Sequence, residues 1–138
     1  MPDAIVAVDP LRRFVIDLFA ALGLPPDDAD IQAHCLLKAH FRGFDTHGVG
    51  CIPSYASCLA EGRIKAKPDI RIERRIPWVA MVDGDNGMGQ VVSKRGMEEC
   101  LDRAGKHNVG VVIMQRSNHF GAAGIFAALA LDRGMVGL

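Results

Sequence analysis

The spacing of apolar residues changes between Arg63 and Lys67, and that change limits what the chain can fold into. Before it, apolar side chains recur every three to four residues throughout; after it, alternating or continuous apolar runs appear between helical segments. A helical pattern laid out as a strand turns its apolar side chains to water, so the two halves must adopt different structure. The expected architecture is mixed α/β: a helical domain over residues 1–65, then an α/β region over residues 66–138.

In the first part, Asp9 is placed to cap a helix with Pro10 at its first position. Leu11, Phe14, Val15, Leu18 and Leu22 form its apolar stripe, and Gly23 ends it. Pro25 and Pro26 punctuate, and Asp27, Asp28 and Asp30 favour a second helix start by complementing its dipole, with that helix running to about Phe41. Gly43 to Gly50 reads as a loop or a helix start, and Ile52 to Glu61 as a third helix stopped by Gly62.

In the second part, strands are expected at about Asp69–Arg75, half exposed, and at Trp78–Val82. Asp83 to Gly89 reads as a tight glycine loop before a helix over about Gln90–Lys106. The apolar run Val109–Met114 reads as a buried strand, breaking into Arg116-Ser117-Asn118-His119-Phe120-Gly121 and a helix over Ala122–Leu131. Gly134 then serves as a C′ glycine, and Met135–Leu138 reads as a strand just starting, as expected of a fragment of a longer protein.

The chain has 138 residues, enough for one domain with a core, and its 16 basic and 16 acidic residues cancel. That balance gives no electrostatic case for nucleic acid or an anionic membrane and leaves a small molecule or another protein as the partner. No apolar run approaches the ~20 residues of a membrane helix, and Met1–Val8 has no leader character, so a cytoplasmic protein is expected. Four cysteines in a chain of this length read as free thiols rather than a disulfide scaffold.

Three segments invite chemistry. His119 lies on a strand-to-helix turn, where α/β sheets commonly place ligands, and its imidazole can exchange a proton near neutral pH; the alternative is that Asn118 and His119 satisfy turn backbone. Thr46 and His47 precede Cys51; in a helix beginning near Asp45, positions 47 and 51 would share a face, though Asp45 or Thr46 could equally be a cap. Gly84, Gly87 and Gly89 are spaced G-x-x-G-x-G, a weak phosphate signal that reads equally as a turn needing positive φ. The ordered dinucleotide fingerprint G-x-G-x-x-G occurs nowhere. His34, Cys35, His40, His47, Cys51 and Cys58 lack the close pairs of a zinc site, so no metal is expected.

In order and spacing, four segments resemble the type 2 malate/L-lactate dehydrogenase family. They are Arg42-Gly43-Phe44-Asp45-Thr46-His47-Gly48-Val49; Pro53 with Tyr55; Asp83 to Gln90; and Arg116 to Gly121. The resemblance implies a non-Rossmann fold, a helical domain followed by the start of a mixed α/β nucleotide-binding domain, and a homodimer in the full-length protein. It also implies NAD or NADP as hydride carrier and a small 2-oxo or 2-hydroxy acid as substrate, or a related cyclic C=N compound. On that basis His119 and His47 are the expected catalytic residues. Thr46, Asn118 and Arg116 are expected to bind substrate, and Phe120 and Gly121 to contact the cofactor. Cys51 stands where the family commonly carries an arginine that forks the substrate carboxylate, a task a thiol cannot perform. The carboxylate would then fall to another arginine such as Arg116 or Arg42, or the substrate would differ, or activity would be poor.

Overall fold

A computed structural model of the protein describes residues 5–138, so the leader reading of Met1–Val8 falls partly outside the described residues. The order is α1 (Val8–Ala21), α2 (Pro26–Phe41), short 3-10 turns at Asp45–His47 and Val49–Cys51, α3 (Ile52–Ala60), β1 (Arg71–Ile76), β2 (Val79–Gly87), α4 (Gly89–His107), β3 (Val111–Ser117), α5 (Gly124–Ala127) and a 3-10 segment at Ala128–Arg133. This is the mixed α/β fold expected from the change of period.

The helical part sits on α4. Val15 and Phe19 of α1, Ala33 and Leu36 of α2, Tyr55 and Leu59 of α3, and Met88 and Val91 at the start of α4 form one buried cluster. The α1 helix begins at Val8 with Ala7 as its unassisted cap, so Asp9 lies inside the first turn and does not cap it. Its stripe is also rotated from expectation: Phe14 is exposed and Phe19 is fully buried. Spacing alone is satisfied by either residue, and the position of α2 decides which faces inward. Asp28, buried in the first turn of α2, receives Arg95 of α4 at 2.7 Å and ties the two layers together.

The sheet has the order β1-β2-β3, antiparallel between β1 and β2 and parallel between β2 and β3. Ile72, Val82 and Met114 lie in register across the three strands on the face covered by α4. Gly96 of α4 lets Met114 approach, since a Cβ there would meet its sulfur at 2.6 Å. At the far end, Glu99 accepts Arg74 of β1 at 3.0 Å and Arg103 of its own helix at 2.9 Å.

In the second part of the chain, three expectations change. The β3 strand runs Val111–Ser117 and is largely exposed, with Ile113 at 53%, because it pairs on one side only and α4 covers one face. The segment read as Ala122–Leu131 helix is a single α turn followed by 3-10 structure. Met135–Leu138 forms no strand; Gly134, at φ +65, closes the preceding turn as expected.

The fourth change bears on function. Asp83–Gly87 continues β2 and is not a loop, and the positive φ values fall on Asp85 and Asn86. The three glycines are there for closeness instead. A Cβ on Gly84 would lie 2.9 Å from the Arg116 carbonyl oxygen, one on Gly87 2.6 Å from the Pro68 ring, and one on Gly89 2.3 Å from the carbonyl oxygens of both Asn118 and His119. Since a carbon cannot occupy that space, Gly89→Ala must push the His119 turn off the helix start. Thermal or denaturant unfolding is expected to show a loss of about 3 kcal/mol, the upper range for overpacking, and unchanged stability would contradict this account of the seat.

Candidate active site

Five elements converge on His119. The β3 strand delivers Arg116 and Ser117 to the sheet's end, where Arg116 adopts φ +50 and the chain leaves the strand. The Asn118 side-chain amide then donates to the Gly87 carbonyl at 2.9 Å and to Asn86 Oδ1 at 3.0 Å, binding the turn to the end of β2. Beneath the turn lies the glycine start of α4. Opposite stands the 3-10 turn Asp45–His47, and α3 contributes Tyr55 from the helical layer.

This packing sets the His47 and His119 rings 5.5 Å apart, centre to centre, and tilted by 32°. Thr46 Oγ1 lies 2.9 Å from His47 Nδ1 and orients that ring. His119 Nδ1 lies 2.6 Å from the Tyr55 hydroxyl, which in turn accepts the Gln90 side-chain amide at 2.7 Å. An amide N–H can only donate, and of the two partners of the buried Tyr55 hydroxyl only His119 Nδ1 can accept, so the O–H is satisfied by donating there. In that arrangement neutral His119 carries its proton on Nε2.

Tyr55 and Gln90, 4% and 1% exposed, were not singled out as site residues by the sequence reading. The signal available was that each lies within a segment carrying the family resemblance, Tyr55 beside Pro53 and Gln90 at the end of the glycine segment. Burial pushes the Tyr55 phenol up to about 12, against the lowering effect of the Gln90 hydrogen bond.

The remaining expected site residues are distributed as follows. Phe120 is 41% exposed and packs against Phe126 at 6.0 Å. Gly121 has φ +79, the left-handed region that favours glycine, and a Cβ there would make only ordinary contact with Gln90 Nε2 at 3.4 Å and the His47 carbonyl oxygen at 4.0 Å. Asn118 lies at the site with its amide donating to β2. The Arg116 guanidinium reaches Asp83 at 2.7 Å and Asp85 at 3.5 Å, on the β2 side of the turn. Arg42 is exposed at the end of α2. Cys51 donates its thiol to the Thr46 carbonyl at 3.0 Å, and burial raises its pKa. The α-helical face shared by positions 47 and 51 does not form, because two separate 3-10 turns flank an extended Gly48. Among the described residues, no group of three or more His, Cys, Asp or Glu side chains is placed to hold a metal ion.

The glycines of β2 do not fit the phosphates of a dinucleotide, because their free space is taken by Pro68 and by the backbone of the His119 turn. The exposed ring of Phe120, next in the chain to His119, is a flat apolar surface that could meet a nicotinamide.

A mixed sheet without the glycine fingerprint, carrying a paired-imidazole site at its strand ends beneath a helical layer, defines a class of α/β protein distinct from the Rossmann dehydrogenases. The sequence profile of the malate/L-lactate dehydrogenase family matches residues 6–138, and the chain belongs to that family. It is 41% identical over 127 residues to the L-sulfolactate dehydrogenase of Methanocaldococcus jannaschii, covering 92% of this chain and 37% of that protein. The structure of malate dehydrogenase from Pyrococcus horikoshii superposes with a TM-score of 0.91 at 38% identity, over 94% of this chain and 37% of that one. The delta1-piperideine-2-carboxylate reductase of Pseudomonas syringae superposes with a TM-score of 0.86 at 26% identity, over 96% of this chain and 40% of that one. The chain thus spans less than half the length of these relatives.

Tyr55 is the chain's one tyrosine, so its ionisation can be followed directly by tyrosinate absorbance. An ordinary tyrosine is half ionised near pH 10; Tyr55 is expected to remain a neutral phenol there. Half-formed tyrosinate at pH 10 in the folded protein would contradict its placement.

Proposed function

We propose that this chain supplies the proton-transfer half of an NAD- or NADP-dependent oxidoreductase that interconverts a small 2-hydroxy acid and the corresponding 2-oxo acid. The observation that carries this reading is His119: its Nδ1 is hydrogen-bonded to a buried phenol, its ring stands 5.5 Å from a second imidazole, and the residue after it, Phe120, carries an exposed ring. The dehydrogenase names of the relatives support it.

The nicotinamide, when bound, supplies the hydride that reaches the carbonyl carbon, with its ring expected beside Phe120 and Gly121. The chain's own residues manage the proton. Reduction places negative charge on the carbonyl oxygen, and a group of near-neutral pKa within hydrogen-bond reach must neutralise it. In this reading, His119 presents Nε2 to that oxygen while its other nitrogen is occupied by Tyr55. His47, oriented by Thr46 and lying against the His119 ring, contacts the same substrate from beside it. Arg116 is committed to Asp83 in this structure, and its capture of a substrate carboxylate would require it to exchange that partner. Asn118 contributes by holding the turn in place.

A second reading, reduction of a cyclic C=N bond, keeps the same residues, with His119 donating to nitrogen. It is supported by the fold likeness to the piperideine carboxylate reductase. A third, of another class, is a non-catalytic chain contributing only folding or dimer contacts. The domain division 1–65 and 66–138, a homodimer in the full-length protein and a cytoplasmic location belong to the same proposal. Balanced charge supports a small-molecule partner over nucleic acid, and no described helix is long and apolar enough to cross a membrane.

In the full-length protein, His119→Ala is expected to lower turnover of 2-oxo acids by ~100-fold or more, the usual loss when a general acid is removed. Steady-state kinetics with NADH and NADPH check this. Near-normal turnover would overturn the assignment.

A further inference from the structure

Gln90 is a buried amide with half its hydrogen-bonding capacity unused. Its Nε2 donates to Tyr55 at 2.7 Å, yet its Oε1 is buried with no partner. Turning the amide by half a revolution would place Oε1 against the Tyr55 hydroxyl and leave Nε2 in the unpartnered position. Either orientation leaves one amide atom unsatisfied, so the surrounding core gives neither a decisive advantage. The state of the rest of the chain of hydrogen bonds decides between them.

The two orientations do different chemistry. With Nε2 toward Tyr55, the phenol donates to His119 Nδ1, and His119 shows the site a fixed Nε2–H. That arrangement can polarise a carbonyl but cannot accept a proton at Nε2, and donating it outright would leave an imidazolate. With Oε1 toward Tyr55, the phenol donates to Gln90 and accepts from His119 Nδ1–H. His119 then shows the site either a free Nε2 lone pair, able to take the proton of a hydroxy acid, or, as imidazolium, an acidic Nε2–H able to give one to an oxo acid. The proton moves between the substrate oxygen and Nε2 only; Tyr55 and Gln90 exchange hydrogen-bond direction and lose no proton.

We propose that Gln90 is a positioning residue whose amide rotation, passed through Tyr55, switches His119 between a hydrogen-bond donor and a proton-transfer group. This rests on the function proposed above for His119. The titratable groups facing the chain are few: His47 from the Asp45–His47 turn lies against the His119 ring, and the thiols of Cys35, Cys51 and Cys58 surround Tyr55. The phenol, pushed up to about 12, stays protonated in both arrangements.

The test is the pH profile of kcat for oxo-acid reduction in the full-length protein, with Gln90→Met, Tyr55→Phe and the double variant, alongside nitrogen-15 NMR of labelled histidine. Gln90→Met keeps the volume but offers Tyr55 no acceptor, so the imidazolium loses its outlet. The expected result is a fall in kcat of about 10-fold or more with KM changed much less, and an alkaline limb moved about one pH unit lower. Neutral His119 should then be protonated on Nε2 in the NMR spectrum. Tyr55→Phe should move the limb the same way, and adding Gln90→Met to it should change nothing further, because the link is already cut. An unmoved limb and unaltered histidine spectrum in Gln90→Met would overturn the inference, as would a Gln90→Met effect of equal size in the Tyr55→Phe background. Should Gln90→Met fail to fold, an unmoved limb in Tyr55→Phe overturns it alone. If His119→Ala is inactive while these variants are silent, the switch fails and the function stands; if His119→Ala is fully active, both fail.

Discussion

Everything at this site depends on how closely the His119 turn sits on the first turn of α4. Two carbonyl oxygens of the turn occupy the space a Cβ on Gly89 would need, and the Asn118 amide pins the same turn to the end of β2. This contact fixes the imidazole relative to both the sheet and α4. It also places Gln90, the next residue of the helix, directly under the site. Any looser seat would let the ring drift by the ångström or so that the proton transfer proposed for His119 does not tolerate.

The helical layer then contributes through its core. Tyr55 belongs to the cluster that holds α1, α2 and α3 against α4, so the residue that bonds His119 is itself immobilised by packing. His47 arrives on a 3-10 turn rather than an α-helix, which separates it from Cys51 and turns the Cys51 thiol back onto the Thr46 carbonyl. The position where the resemblance leads one to expect an arginine is thus filled by a side chain occupied with its own loop.

Much of this was legible in the residues, because hydrophobic period and glycine placement are local signals. The helices over Pro26–Phe41 and Gly89–His107 and the strand-to-helix position of His119 follow from them. What was not legible depends on contacts distant in sequence. Phe14 and Phe19 satisfy the same helical stripe, and only the docking of α2 selects Phe19. The glycines at 84, 87 and 89 suggested a phosphate loop or positive φ, whereas their role is to admit Pro68, Arg116 and the His119 turn from elsewhere in the chain. Tyr55 and Gln90 were invisible as site residues for the same reason: a buried phenol and a helix-start amide carry no chemical signature until the fold brings them to an imidazole 64 residues away from the phenol.

The measurement that tests the central claim most directly is chemical rescue. In the full-length protein lacking the His119 ring, added imidazole can restore oxo-acid reduction only if what is missing is a proton donor at that position. The account predicts that imidazole raises the turnover of His119→Ala in proportion to its concentration and leaves His47→Ala unimproved. Rescue of His47→Ala but not of His119→Ala would contradict it.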